Sequence, residues 1–145
     1  MLDKLRTRSR EESGFTLVEL LVVMLILGIL AAIAIPAFFS QRDKAKDSDA
    51  KAQANSAQTA IESYATDNNG SYAGATTTNL RAIEPTNKTT VTVPSPTSNT
   101  YTVTATSSTG NTFSVSRAST GAVTYPCTST GSASAGCPSS GFWNP

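Results

Sequence analysis

Hydrophobic and polar positions divide the chain into three different materials. From Phe15 to Phe39 the run FTLVELLVVMLILGILAAIAIPAFF is apolar at nearly every position, with Glu19 as its single ionisable residue. At about 1.5 Å per residue a helix of that length reaches roughly 37 Å, enough to cross a hydrocarbon core of about 30 Å. From Gln41 to Asp67 there is neither Gly nor Pro, and small or apolar residues return at Ala50, Ala54, Ala57, Ile61 and Tyr64. That spacing marks one helical face. The pattern predicts a helix that continues beyond the membrane and lays this face on a head domain. Asn68-Asn69-Gly70-Ser71 ends it, because Asn and Gly tolerate left-handed backbone geometry.

The third material alternates with a period of two. Val91 and Val93, then Tyr101, Val103 and Ala105, then Phe113 and Val115, then Val123 and Tyr125 each send every second side chain to one side, as half-buried strands do. Ser107-Ser108-Thr109-Gly110-Asn111 and Ser119-Thr120-Gly121 supply the breaks that hairpin loops need. The expectation is a small antiparallel meander of three or four strands laid across the apolar face of the helix, an α+β fold.

Composition sharpens this picture. Residues 71–145 hold 31 Ser and Thr among 75, a content that on composition alone suggests disorder; the strand periodicity argues otherwise, and Thr on the outer face gives strand propensity without charge. The whole chain carries a formal charge of +1 and no His. Near-neutrality argues against a general nucleic-acid binder, and the head's Arg81, Lys88 and Arg117 against Glu84 leave too little positive charge to indicate phosphate binding. Without His, and with no Lys or carboxylate at a motif spacing to activate a Ser, the chain reads as no enzyme. Four basic residues, Lys4, Arg6, Arg8 and Arg10, precede the apolar run and place its N-terminal side in the cytoplasm. A cleaved secretory signal shares the basic start, but its apolar core is shorter.

Between the charged start and the apolar run stands Glu12-Ser13-Gly14-Phe15-Thr16-Leu17-Val18-Glu19-Leu20-Leu21, followed by apolar positions to Ile35 and then Pro36. A Gly-Phe pair, a Glu shortly after it, a long apolar helix and a proline at the membrane exit together resemble the N-terminus of a type IV pilin or a related pseudopilin. The resemblance implies a leader, residues 1–14, cut between Gly14 and Phe15 by a prepilin peptidase that also methylates the new Phe15 amine. It implies a membrane and filament-core helix over 15–39, an amphipathic continuation over 40–67 and a head over 68–145. The precursor would sit in the cytoplasmic membrane until an ATPase-driven machine draws it into an extracellular helical homopolymer. The leader is longer than the shortest pilin leaders and carries Glu11 and Glu12 near the cut, which leaves the subclass open.

A carboxylate in a hydrocarbon layer costs on the order of 2.5–3.5 kcal/mol unless it lies near an interface, is protonated or is paired. Cleavage would give Glu19 a cationic partner, the Phe15 amine of a neighbouring subunit, in a poorly screened core; snorkelling to the headgroups is the plainer alternative. Gly28 and Pro36 interrupt the same helix, as an ordinary kink or, by the resemblance, as a stretch that loosens on assembly. Asp43 and Asp47 are read as part of a solvated mixed-sign face with Arg42, Lys44, Lys46, Asp49 and Lys51, and not as metal ligands. Cys127 and Cys137, an even pair outside a membrane, suggest a disulfide, as the resemblance does; two Cys without His supply too few ligands for a metal. No cofactor is expected. Phe142 and Trp143 either anchor the tail on the sheet or stay exposed for contacts. The sequons at Asn69 and Asn87 would matter only in a cell with that glycosylation pathway, and the family that the chain resembles is prokaryotic.

The leading expectation is a major pilin serving adhesion, twitching motility or DNA uptake. The alternatives are a pseudopilin of a type II secretion system and a minor pilin acting as a tip adhesin or DNA receptor. Pseudopilin heads commonly bind calcium, whereas residues 71–145 contain one carboxylate side chain, Glu84.

Overall fold

A computed structural model describes residues 14–143 apart from Thr89 and 131–135. The leader up to Ser13 and the interior of the Cys127–Cys137 loop therefore lie outside the described residues. Two compact units make up the chain, Met1–Phe38 and Phe39–Pro145.

One helix, α1, runs from Leu17 to Asp67 and passes through Gly28 and Pro36 without interruption. In the first unit its large apolar side chains are exposed. In the second unit Ala50, Ala54, Ala57 and Ile61 are buried, as the spacing predicts, and Tyr64 packs against the core at its margin. Alanines along this stripe let strands approach the helix closely, so the bulk that fills the core comes from the sheet. The helix ends where Asn69 and Gly70 take positive φ, 55° and 80°, and the Gly70 N–H turns back to the Ala65 carbonyl at 2.8 Å.

A short helix, α2 (Thr77–Ile83), follows. Its first turn is closed reciprocally: the Asn79 N–H reaches the Thr76 hydroxyl and the Thr76 N–H reaches the Asn79 side chain, satisfying donors a helix start otherwise leaves open. Leu80 drops into the core.

The sheet contains β1 (Val91–Thr92), β2 (Tyr101–Thr106), β3 (Thr112–Arg117), β4 (Val123–Thr124) and β5 (Cys127–Thr128), all pairs antiparallel. The order is β1-β2-β3-β4, with β5 pairing β3 beyond β4. The sheet thus has five strands where three or four are expected, because the chain returns after Pro126 to pair with β3. Val91, Tyr101, Val103, Ala105, Phe113 and Val115 form the buried face with Leu80 and Ile61. On the opposite face the register aligns hydroxyl residues across strands: Thr92 with Thr104, Thr102 with Ser116 and Thr124, and Thr106 with Thr112 and Thr128.

The tail closes the fold. Trp143 is buried and its indole N–H donates to the carbonyls of Ser114 and Pro126 at 3.1 and 3.2 Å. Its ring meets Phe113 and Tyr125 edge to face. Of the two terminal aromatics Trp143 is therefore the anchor, while Phe142 remains 55% exposed.

Candidate functional site

At the start of α1 the backbone builds a capping box from Thr16 and Glu19. The Glu19 N–H donates to the Thr16 hydroxyl at 3.1 Å, and the Thr16 N–H points to a Glu19 carboxylate oxygen at 3.5 Å. Thr at the cap and Glu three residues on is the usual sequence signature of this device, and it was open to reading in Thr16-Leu17-Val18-Glu19. The exposed Glu19 carboxylate thus has a partner within its own chain. Gly14 and Phe15 lie just outside the helix, with Phe15 82% exposed. A Cβ at Gly28 would meet nothing within 4 Å, so no contact among the described residues requires glycine there.

From Phe15 to Phe39 the large side chains are all exposed, and none of the most hydrophobic window of α1 is buried within the chain. Water does not tolerate such a surface, so lipid or further protein must cover it.

In the head, Asp47 departs from expectation. It is fully buried, not solvated, because it lies three residues before Ala50 and continues the same buried face. The Thr109 hydroxyl donates to one of its oxygens, and the Asn111 amide donates to the other at 2.8 Å. The β2–β3 loop is thereby fixed to α1. Asp43, in contrast, stays at the surface beside Lys46, so the two acids do not converge, and among the described residues no group of three metal-ligating side chains assembles.

Cys127 and Cys137 are joined in a disulfide. Beside it Gly136 packs on the Asp47 side chain so closely that a Cβ would collide with it.

Glu62 forms a second polar anchor that sequence reading missed. It accepts from the hydroxyls of Tyr72 and Tyr101 at 2.7 and 2.8 Å and pairs with Arg117 at 3.4 Å. The Arg117 guanidinium also lies 5.8 Å from the Tyr72 ring centroid. Burial pushes the Tyr101 hydroxyl well above its ordinary pKa, and the bond to the Glu62 carboxylate adds to the rise. Tyr72 moves the same way for the same leading reason, against an opposing pull from Arg117. No local motif announces this cluster, since its members are separated along the chain and meet only through the packing of α1 on β2 and β3.

The comparisons bear on the N-terminal region. Residues 9–35 match the prokaryotic N-terminal methylation motif. Type II secretion system core protein G of Pseudomonas aeruginosa is 46% identical over 59 residues, covering 41% of this chain and 42% of that protein. The type IV wide pilus major component of Thermus thermophilus is 45% identical over 60 residues, covering 41% and 46%. The type IV major pilin of Myxococcus xanthus is 49% identical over 51 residues, covering 35% and 23%. The chain thus spans less than half the length of these relatives. No solved structure matches it. An N-terminal methylation segment opening a long apolar helix, with a small antiparallel sheet packed on the helix's second half, defines the class. These features are type IV pilin-like, the similarity to known pilins and pseudopilins lying in the N-terminal region, and the motif and apolar helix fit a membrane-anchored precursor and an extracellular pilus.

Proposed function

We propose that this chain is the precursor of a major type IV pilus subunit, a structural and non-catalytic protein. One observation carries the reading: a single helix packs one face of its second half on its own head, while every large apolar side chain from Phe15 to Phe39 is exposed. Such a surface is suited to two successive environments, lipid before assembly and neighbouring copies of the same helix afterwards.

In this reading prepilin peptidase cuts between Gly14 and Phe15 and methylates the Phe15 amine, and the mature subunit begins at Phe15. The cationic amine of one subunit pairs with Glu19 of another. The capping geometry supports that pairing by engaging one carboxylate oxygen with Thr16 and leaving the second for an intermolecular partner. A cytoplasmic ATPase-driven machine supplies the work of extraction from the membrane. The head presents a sparsely charged, disulfide-closed surface for adhesion, motility or DNA uptake.

Similarity to core protein G of Pseudomonas aeruginosa favours a second reading, a type II secretion pseudopilin. Intact mass and N-terminal sequencing of protein sheared from native cells separates the two. Sedimentable filaments starting at N-methyl-Phe15 are expected for the pilus subunit. Processed protein confined to the membrane fraction would select the pseudopilin, and a Met1 start would overturn both.

A further inference from the structure

Every outward-facing position of the five strands is Thr or Ser. Alternation alone requires only that these positions be polar; Lys, Glu, Gln or Asn would satisfy it equally, and none occurs. The hydroxyls are also ordered. Thr102 bonds Ser116 and Thr104 bonds Ser114, each at 2.8 Å across adjacent strands. Each bonded pair consumes one donor and one acceptor, so it still turns one O–H and several lone pairs outward. Because the rotamers are held by these bonds and, for the threonines, by β-branching, little side-chain freedom is left to lose on binding.

We propose that this face binds a neutral, extended polysaccharide laid across the strands. Neighbouring strands stand about 4.8 Å apart, a spacing close to the length of one pyranose ring in an extended chain, so successive sugars meet successive hydroxyl rows. An uncharged, donor-and-acceptor surface complements a glycan that is itself uncharged and hydroxylated, and it offers nothing to a polyanion.

The sheet edge adds an aromatic platform. Thr124 and the exposed ring of Phe142 line an open cleft of about 380 Å³ together with Val123, Tyr125 and Ser140. A flat apolar ring at the end of a hydroxyl row is the arrangement that receives the C–H face of a pyranose. Individual contacts between exposed hydroxyls are weak because water competes for them; repetition of the head on a shared surface converts weak binding into retention.

The inference concerns the head and does not require the filament reading. Its test reconstitutes the full chain into phosphatidylcholine vesicles and pellets them with microcrystalline cellulose at a speed that leaves free vesicles in suspension. Wild-type vesicles should pellet, and soluble cello-oligosaccharides should release them. The double variant Thr102→Val with Thr104→Val, which keeps side-chain shape and removes two hydroxyls, should retain about tenfold less, because each head's loss is multiplied over many heads. Lys44→Ala, on an exposed position of α1, should change nothing. Failure of wild-type vesicles to pellet, pelleting that oligosaccharides do not reverse, or equal retention of the double variant would overturn the proposal. The oligosaccharide arm decides the matter with wild-type protein even where the variant does not fold.

Discussion

Asp47 and Gly136 are packed in direct contact, the carboxylate of a buried helical residue against the backbone of a residue adjoining the disulfide. The same carboxylate accepts from Thr109 and Asn111. One side chain of α1 therefore joins the β2–β3 loop and the C-terminal loop to the helix, two segments that no strand pairing holds there.

Gly136→Ala should break that junction. The added methyl overlaps the Cβ and carboxyl of Asp47, neither of which is the free end of a flexible chain, so the loop or the acid must move. A loss of about 1–3 kcal/mol is expected, as for other overpacked buried sites. Urea unfolding should show it in the oxidised protein and show less of it after reduction, when the Cys127–Cys137 closure no longer presses residue 136 onto the helix. An undiminished effect in the reduced protein would mean that the disulfide does not hold this contact.

Replacing Asp47 itself distinguishes charge from hydrogen bonding. Asp47→Leu removes the acceptor that the Asn111 amide and the Thr109 hydroxyl share, and a loss of about 1–3 kcal/mol is expected. Asp47→Asn keeps an acceptor for one of them and should fall between Leu and wild type. Chemical denaturation of the three proteins at one pH orders them; Leu as stable as wild type would show that the junction contributes no net stability.

Tyr101 should make the head sensitive to alkali. Its hydroxyl donates to Glu62, and burial raises its pKa above the unfolded value near 10. The folded state thus keeps a proton that the unfolded state releases. The stabilisation is fully present below about pH 10 and declines as pH rises above it. Thermal unfolding followed from pH 8 to pH 11 should show a steeper fall for wild type than for Tyr101→Phe, although the variant starts less stable. Parallel curves would remove Tyr101 from the titration.

How much of this could be read in the sequence depended on whether the signal was periodic or distant. The stripe Ala50, Ala54, Ala57 and Ile61 and the alternation in β2 and β3 are repeated local choices, and the packed faces follow them. Asp47 obeys the same helical spacing but carries the residue type least expected on a buried face. What reverses that expectation is Asn111 and Thr109 arriving from the far side of a hairpin, which no local pattern reports. Glu62 is a similar case, an unremarked acid on α1 until two tyrosines and an arginine reach it through tertiary packing. The α2 cap uses Asn79 where Glu or Gln is usual, and the helix went unread. In the N-terminal segment Glu19 stands out because a charge in a long apolar run is costly, whereas Gly14 and Phe15 stand out only through the resemblance to pilin N-termini. The capping role of Glu19 was equally legible, from Thr16 three residues earlier.

That double position of Glu19 allows capping to be separated from assembly. Thr16→Ala removes the cap, an effect of about 0.5–2 kcal/mol on the helix start, while the carboxylate remains. Glu19→Gln does the reverse: a Gln at this position still closes a capping box, but it cannot pair with a cationic amine as a charge. If intermolecular pairing with Phe15 governs polymerisation, cells expressing only Glu19→Gln should process the protein normally and yield at least about tenfold fewer sheared filaments, as loss of about 1.4 kcal/mol per subunit contact would give. Thr16→Ala should assemble close to wild-type levels. Immunoblots of sheared and membrane fractions read both variants together. The opposite pattern, filaments from Glu19→Gln and none from Thr16→Ala, would make Glu19 a helix cap and nothing more.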